Sequence, residues 1–228
     1  MPKRNWVRLP TGWIEDGGLK SFTWRNRGID SLAALMVLIA IAHRADQTTG
    51  EVRVTYNDLV LATGLSRTSV AAGLGKLEGR YIEKRSQSVY SLVDFSPQGG
   101  WAVLPYERLY NPRGQIAFFK ELKKRKAIEL NALKLYPLFV ARRDRDTNQA
   151  HISYDKIEDY TGIARDDIKP AISFLLHAAM IYYEPVQSVA HSGRISHAYR
   201  IIGYDSFRNP ATTGSADRLF GMPVEENT

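Results

Sequence analysis

The side chains with the clearest chemical capacity lie in one short run. Ser66, Arg67, Thr68 and Ser69 follow Thr63-Gly64-Leu65, and Lys76 comes seven residues after Ser69. Hydroxyls both donate and accept at base edges, a guanidinium can fork onto the O6 and N7 of guanine, and an ammonium can neutralise a phosphate. Within the same run Val70, Leu74 and Leu77 recur at spacings of four and three, which predicts a helix with one apolar face. The rest of that cylinder is small, polar or basic, as a helix entering a DNA groove requires. Catalytic chemistry has no comparable cluster. His43, His151, His177, His191 and His197 are scattered, with no His-x-His or His-x-x-x-His pair and no carboxylate cluster to hold a metal. There is no Gly-Lys-Ser/Thr phosphate loop, and Gly73-Leu-Gly75 is a lone Gly-x-Gly inside the helix. A tyrosine nucleophile for strand nicking would need a metal-binding His pair, and none is found. These residues therefore predict binding rather than an enzyme, with neither cofactor nor metal.

The elements that must position this run are legible around it. Tyr56 to Ala62 fits a short helix with Leu59 and Ala62 inward, Gly64 suits a left-handed C-terminal stop, and Ser66 suits an N-cap. Tyr81–Arg85 and Val89–Val93 are β-rich runs flanking Ser86-Gln-Ser, which predicts a hairpin with Lys84 and Arg85 near its tip. Val52 and Val54 alternate with Arg53 in a short strand. Upstream, Leu32 to Arg44 reads as a helix, capped by Asp30 or Ser31, and is apolar nearly all round. Its cover is the rest of a thick core, the other half of the chain, or a second protomer of a homodimer.

The pattern then recurs. Trp6-Val-Arg-Leu-Pro returns as Trp101-Ala-Val-Leu-Pro, 95 residues on. At a shift of 98, Tyr56 meets Tyr154, Leu59 meets Ile157, Thr63-Gly64-Leu65 meets Thr161-Gly162-Ile163, and Arg67 meets Arg165. Val70 and Leu77 likewise meet Ile168 and Leu175. Ordered matches at one drifting shift indicate two copies of one unit. Ser96-Pro-Gln-Gly-Gly is the boundary, giving units over 1–98 and 99–205 and a tail over 206–228.

The second copy differs where recognition would occur. Ala164 replaces Ser66 and is a poor cap, and Asp166 and Asp167 stand where Thr68 and Ser69 stood. Either aspartate can move the cap inward, bringing Pro170 into the first turn. Two carboxylates at a reading end repel phosphate, so this helix binds DNA weakly, reads cytosine through an Asp, or faces a protein; an auxiliary DNA role through Arg165, Lys169 and Ser173 is favoured. Met180–Glu184 and Ala198–Ile202 predict a longer second hairpin with Arg194 at its tip, placed for a minor groove. The basic run Lys120–Lys126 enters the second apolar helix. Lys123, Lys124 and Arg125 either form a solvated face or contact phosphates. Pro137 should kink or end that helix.

Composition sets outer limits. The 228 residues carry a net charge of +7 and an apolar fraction of 44%, and the sequence pI is near 9.5, which points weakly to a polyanion. With no Cys, disulfides and thiolate metal sites are excluded. Leu32 to Ala42 is too short to span a membrane, and no apolar stretch follows the basic N-terminus as a signal would require, so the expectation is a cytoplasmic protein with no membrane partner.

The Trp-x-x-Leu-Pro openings, the Gly-Leu-Ser-Arg-Thr-Ser-Val run and the tandem architecture resemble tandem winged-helix DNA-binding proteins, above all plasmid and phage replication initiators, over about residues 6–204. The resemblance implies an α+β, mainly helical fold of two tandem winged helix-turn-helix domains. It also implies specific binding of double-stranded DNA at origin repeats and contact with host replication proteins, without catalysis. Transcriptional repressors share the module, so a promoter-binding regulator is the alternative, and a protein-interaction scaffold the next.

Overall fold

The computed structural model describes residues 6–25, 27–106, 109–111, 113–144, 147–187 and 195–203. The expected C-terminal tail and Arg194 lie outside the described residues. The fold is α+β, with helices dominating and small antiparallel sheets. In chain order the first half holds β1 (Trp6–Pro10), α1 (Gly12–Glu15), α2 (Gly28–Arg44), β2 (Glu51–Arg53), α3 (Tyr56–Thr63), α4 (Arg67–Leu77), β3 (Ile82–Ser86) and β4 (Val89–Leu92). The second half holds β5 (Trp101–Pro105), α5 (Ala127–Ala141), β6 (Gln149–His151), α6 (Tyr154–Thr161), α7 (Arg165–His177), β7 (Ile181–Gln187) and β8 (Ile195–Ile201). Short 3-10 turns at Gly18–Ser21 and Ala117–Lys120 occupy matching places before α2 and α5.

The duplication extends to individual hydrogen bonds. The sheets run β2-β4-β3 and β6-β8-β7, in both cases with the last strand in the middle. Asp46 accepts from the backbone of Thr48 and Thr49, and Asp144 accepts from Thr147, each organising the loop ahead of the first strand. That loop ends on a residue with positive φ in both halves, Gly50 and Asn148. Asn is among the residues that tolerate this region. The buried hydroxyls of Thr63 and Thr161 donate to the carbonyls of Leu59 and Ile157 and accept from the amides of Leu65 and Ile163. Each Thr braces its turn from inside, and neither can be recognised as a brace from spacing alone.

The two halves meet through their opening strands. β1 pairs antiparallel with β5, Trp6 opposite Pro105 and Pro10 opposite Trp101, so Arg8 faces its own counterpart Val103. The ladder is therefore symmetric about a local twofold axis. Over it Trp6 and Trp101 stack at 6.1 Å, and the Arg8 guanidinium lies 4.7 Å from the Trp101 ring. One hydrophobic cluster runs through both halves, with α2 packed on α4 of its own half and on α5 of the other. That contact, with β1, covers the all-round apolar surface of α2 inside the chain itself.

Several sequence expectations need correction. α2 starts at Gly28, so Asp30 lies in its first turn beside Arg27 and Ser31 is buried; neither is the cap. α5 runs unbroken through Pro137 to Ala141, the proline being set in a buried stretch from Ala132 to Val140. α7 keeps Ala164 as an uncapped start, so Pro170 sits in the second turn rather than the first. A proline in a helix forfeits one backbone bond and crowds the preceding turn, at about 3 kcal/mol or more. Burial of Ile168, Ala171, Ile172 and Leu175 along the same helix offsets that cost.

Candidate nucleic-acid interface

α3 and α4 are joined by a turn at Gly64, whose φ of 64° ends α3. Thr55 caps α3 in a reciprocal box with Asp58, and the Ser66 hydroxyl caps α4 by accepting the amide of Ser69 at 3.1 Å. Val70, Leu74 and Leu77 are buried beneath the helix, as expected. Gly73 lies where α4 crosses α2: a Cβ there would stand 3.1 Å from the Ala33 and Ala34 backbone, so close helix packing accounts for this glycine. Gly75 has no such reason. A Cβ on it would meet nothing within 4 Å.

The exposed side of α4 consists of Arg67, Thr68, Ala71, Gly75 and Lys76. This ridge carries two cations, one hydroxyl and little bulk. Ser66 and Ser69 are partly committed to each other, their hydroxyls 2.9 Å apart within the cap. Arg67 is aimed by Asn57, which accepts from its Nη1 at 2.7 Å, and lies 5.8 Å above the Tyr56 ring. Asn57 is neutral, so the guanidinium keeps its full charge for another partner. The sequence reading missed Asn57; its signal was adjacency to Tyr56 and a counterpart, Asp155, at the same shift of 98.

The second half places the same parts to a different electrostatic end. Arg165 is bound by the Asp155 carboxylate, which also raises the pKa of the guanidinium. Asp166 and Asp167 are exposed at the start of α7, while Lys169 and Ser173 are exposed four residues apart on one face. With Arg165 paired to Asp155, the two exposed aspartates outweigh Lys169, so the α7 surface is net acidic at its N-terminal end, where the α4 surface is cationic.

In the first hairpin Lys84 is exposed, two residues before the end of β3, but Arg85 is turned back onto the sheet. Its Nε donates to Ser91 at 3.0 Å and its Nη2 pairs with Glu83 at 2.6 Å. The turn itself is Gln87-Ser88, with Ser88 at φ 63°. Lys84→Ala should thus weaken binding to all duplexes alike and reduce the salt slope by about one. Arg85→Ala should do less, because its charge is already compensated; titrations across salt concentrations measure both.

Lys123, Lys124 and Arg125 do not enter α5 but form the loop ahead of it. Glu129, only 2% exposed, accepts the backbone amides of Lys124, Arg125 and Lys126 at 3.0, 2.7 and 2.9 Å and so fixes that loop. Three charge-assisted bonds onto one carboxylate make this an ordered platform.

Among the described residues no His, Asp and Glu group could hold a metal ion, and no helix is long and apolar enough to cross a membrane. Compared with known proteins, the chain matches no family model, no curated protein and no solved structure at a significant level.

Proposed function

We propose that the chain binds double-stranded DNA sequence-specifically through two tandem winged helix-turn-helix units, over 1–98 and 99–205, as a plasmid or phage type replication initiator without catalysis of its own. The observation that carries this reading is the exposed ridge of α4, where Arg67, Thr68 and Lys76 flank Ala71 and Gly75 and none of the described residues covers them. α4 enters the major groove, Arg67 reads a base edge, and Lys84 holds the flanking backbone. α7 meets the neighbouring stretch of duplex through Arg165, Lys169 and Ser173 with a smaller share of the affinity. Host replication proteins are the further partners of such an initiator, and the location is cytoplasmic.

The symmetric β1–β5 ladder favours one further feature. Units related by a local twofold axis meet DNA as a dimer does, on half-sites of opposite orientation within one site. A transcriptional regulator on a promoter operator is the second reading, because the same symmetry suits a palindrome. Selection of bound fragments from random and genomic DNA tests both. Enrichment of a quasi-palindromic site repeated near an origin supports the initiator, single promoter sites support the regulator, and no enrichment removes DNA reading altogether.

Gly75→Ala separates binding from stability. With open space around the new methyl, helix propensity should raise stability by about 1 kcal/mol. The added bulk on the reading face should lower DNA affinity. Thermal melting and gel shift measure the two, and a variant more stable with unchanged affinity would remove α4 from the interface.

A further inference from the structure

We propose that a crease between the two halves, bounded by the Thr63-Gly64 turn and the Gln115–Lys124 segment, is a seat for a backbone phosphate of duplex DNA. The first half's reading helix is then anchored by cations of the second half. The proposal rests on the DNA-binding reading above and says where its affinity comes from.

The crease arises because the segment ahead of α5, packed on its own α7 through Phe118 against Phe174, also reaches across to the turn after α3. The amide of Ile116 donates to the carbonyl of Ala62 at 2.9 Å, and Gly114 lies against Leu61. The Gln115 Nε2 is 4.0 Å from a Cβ position on Gly64, two residues ahead of the Ser66 cap. The opening has a volume of about 240 Å³ and is lined by Thr63, Gly64, Gln115, Phe119, Lys120 and Lys124. Gln115 uses its carbonyl oxygen to accept from Asn111, at 3.3 Å, which leaves its amide donors to the crease. Two ammonium groups and an amide donor around a cavity beside a helix start are a fitting set for a phosphate oxygen.

The surroundings are built for the same charge. Arg113, Lys120, Lys123, Arg125 and Lys126 are exposed, and none is in an ion pair among the described residues. Glu121 is the only carboxylate in the sequence from Arg113 to Lys126. The Glu129 clamp fixes the backbone that carries Lys124 and Arg125, so less freedom remains to be lost when a phosphate arrives. The matching segment of the first half crosses over too, with Lys20 Cγ 3.5 Å from a Cβ position on Gly162, but its charge is mixed. Glu15 there is tied to Arg142, and Arg27 to Asp30. Both the crossing cations and the unneutralised Arg67 therefore favour one reader. An acidic protein surface would also be attracted, but the position beside the cap of α4 favours the duplex that α4 reads.

The test uses the full chain and its selected DNA site. The double variant Lys120→Ala/Lys124→Ala should bind more weakly on every sequence, with the log–log salt slope shallower by about one to two. Gln115→Glu, isosteric with the native side chain, should repel the phosphate and weaken binding without a change in melting temperature. Ethylation interference should lose one or two phosphates, and these should flank the half-site whose base preference changes in Arg67→Ala. An unchanged slope in a double variant that melts like the native chain overturns the proposal while leaving DNA binding intact. So does loss of phosphates beside the other half-site. A native chain with no salt-dependent DNA binding overturns the underlying reading and this inference with it. Equal weakening for an acidic protein bait alone, with DNA unaffected, assigns the crease to a protein and overturns the phosphate seat.

Discussion

Lowering the pH from 6.5 to 4 is expected to cost the fold about 3 kcal/mol through His43 alone. This imidazole is 1% exposed, neither nitrogen has a hydrogen-bond partner among the described residues, and the rings of Tyr106 and Tyr110 pack around it at 6.0 and 5.5 Å. Burial, and secondarily the Arg44 charge, hold its pKa down at about 3, against an ordinary value of 6.5. Among the described residues the groups facing it are thus one guanidinium and two phenols, with burial pushing the Tyr110 phenol up to about 12. Between pH 6.5 and 3 the unfolded chain binds a proton that the folded chain refuses. Stability accordingly falls as pH falls through that window, by about 1.4 kcal/mol per unit. Asp46 and Asp58 also have lowered pKa values, held down by hydrogen bonds from Thr48 and Thr55 respectively. Their stabilisation is lost only as pH drops below the ordinary carboxylate value, so the range from 6.5 to about 4.5 reports mainly on the histidine. Urea titrations at several pH values should show this slope in the native chain and a flatter one in His43→Leu. Parallel slopes would place the acid sensitivity elsewhere.

Arg67→Ala is expected to lose about 1–3 kcal/mol of specific binding, about five- to 150-fold, and to relax preference at one base position. Arg165→Ala, the same change in the second copy, should lose far less. The difference lies in one neighbour: Asn57 aims Arg67 without neutralising it, whereas Asp155 neutralises Arg165. Asp155→Asn should therefore raise affinity, since it gives the second helix pair the arrangement of the first. Competition binding against a panel of single-base variants resolves all three. Equal, sequence-independent losses from both arginines would reduce Arg67 to a phosphate contact. A loss of affinity in Asp155→Asn would show that aiming matters more than charge at α7.

Local chemistry was what the sequence could convey. The Gly64 stop, the Ser66 cap and the apolar spacing of α4 each follow from neighbours within a few positions, and each is found in the structure. What stayed hidden was settled at long range. That β1 pairs with β5, and that the segment near Ile116 lies on Ala62, depends on how two packed halves turn toward each other. No periodicity encodes that. Proline rules allowed α5 to end at Pro137 and brought Pro170 into the first turn of α7, and neither holds because a local penalty was set against burial distributed along the whole helix. The candidate interface was read as a set of residue types; the partners that aim or silence them, Asn57, Asp155, Glu83 and Glu129, became visible only in three dimensions.

The opening strands bear on what the protein does at low abundance. A ladder that superimposes on itself after half a rotation is the joint of a homodimer, here made by one polypeptide with itself. Two separate subunits would fall apart on dilution. Joined by the chain, the halves face each other at an effective concentration set by the connecting segment, whatever the number of copies in the cell. On the proposed DNA-binding reading, a single molecule is thus already a caliper, and the spacing between the half-sites it would grip is decided by folding rather than by mass action.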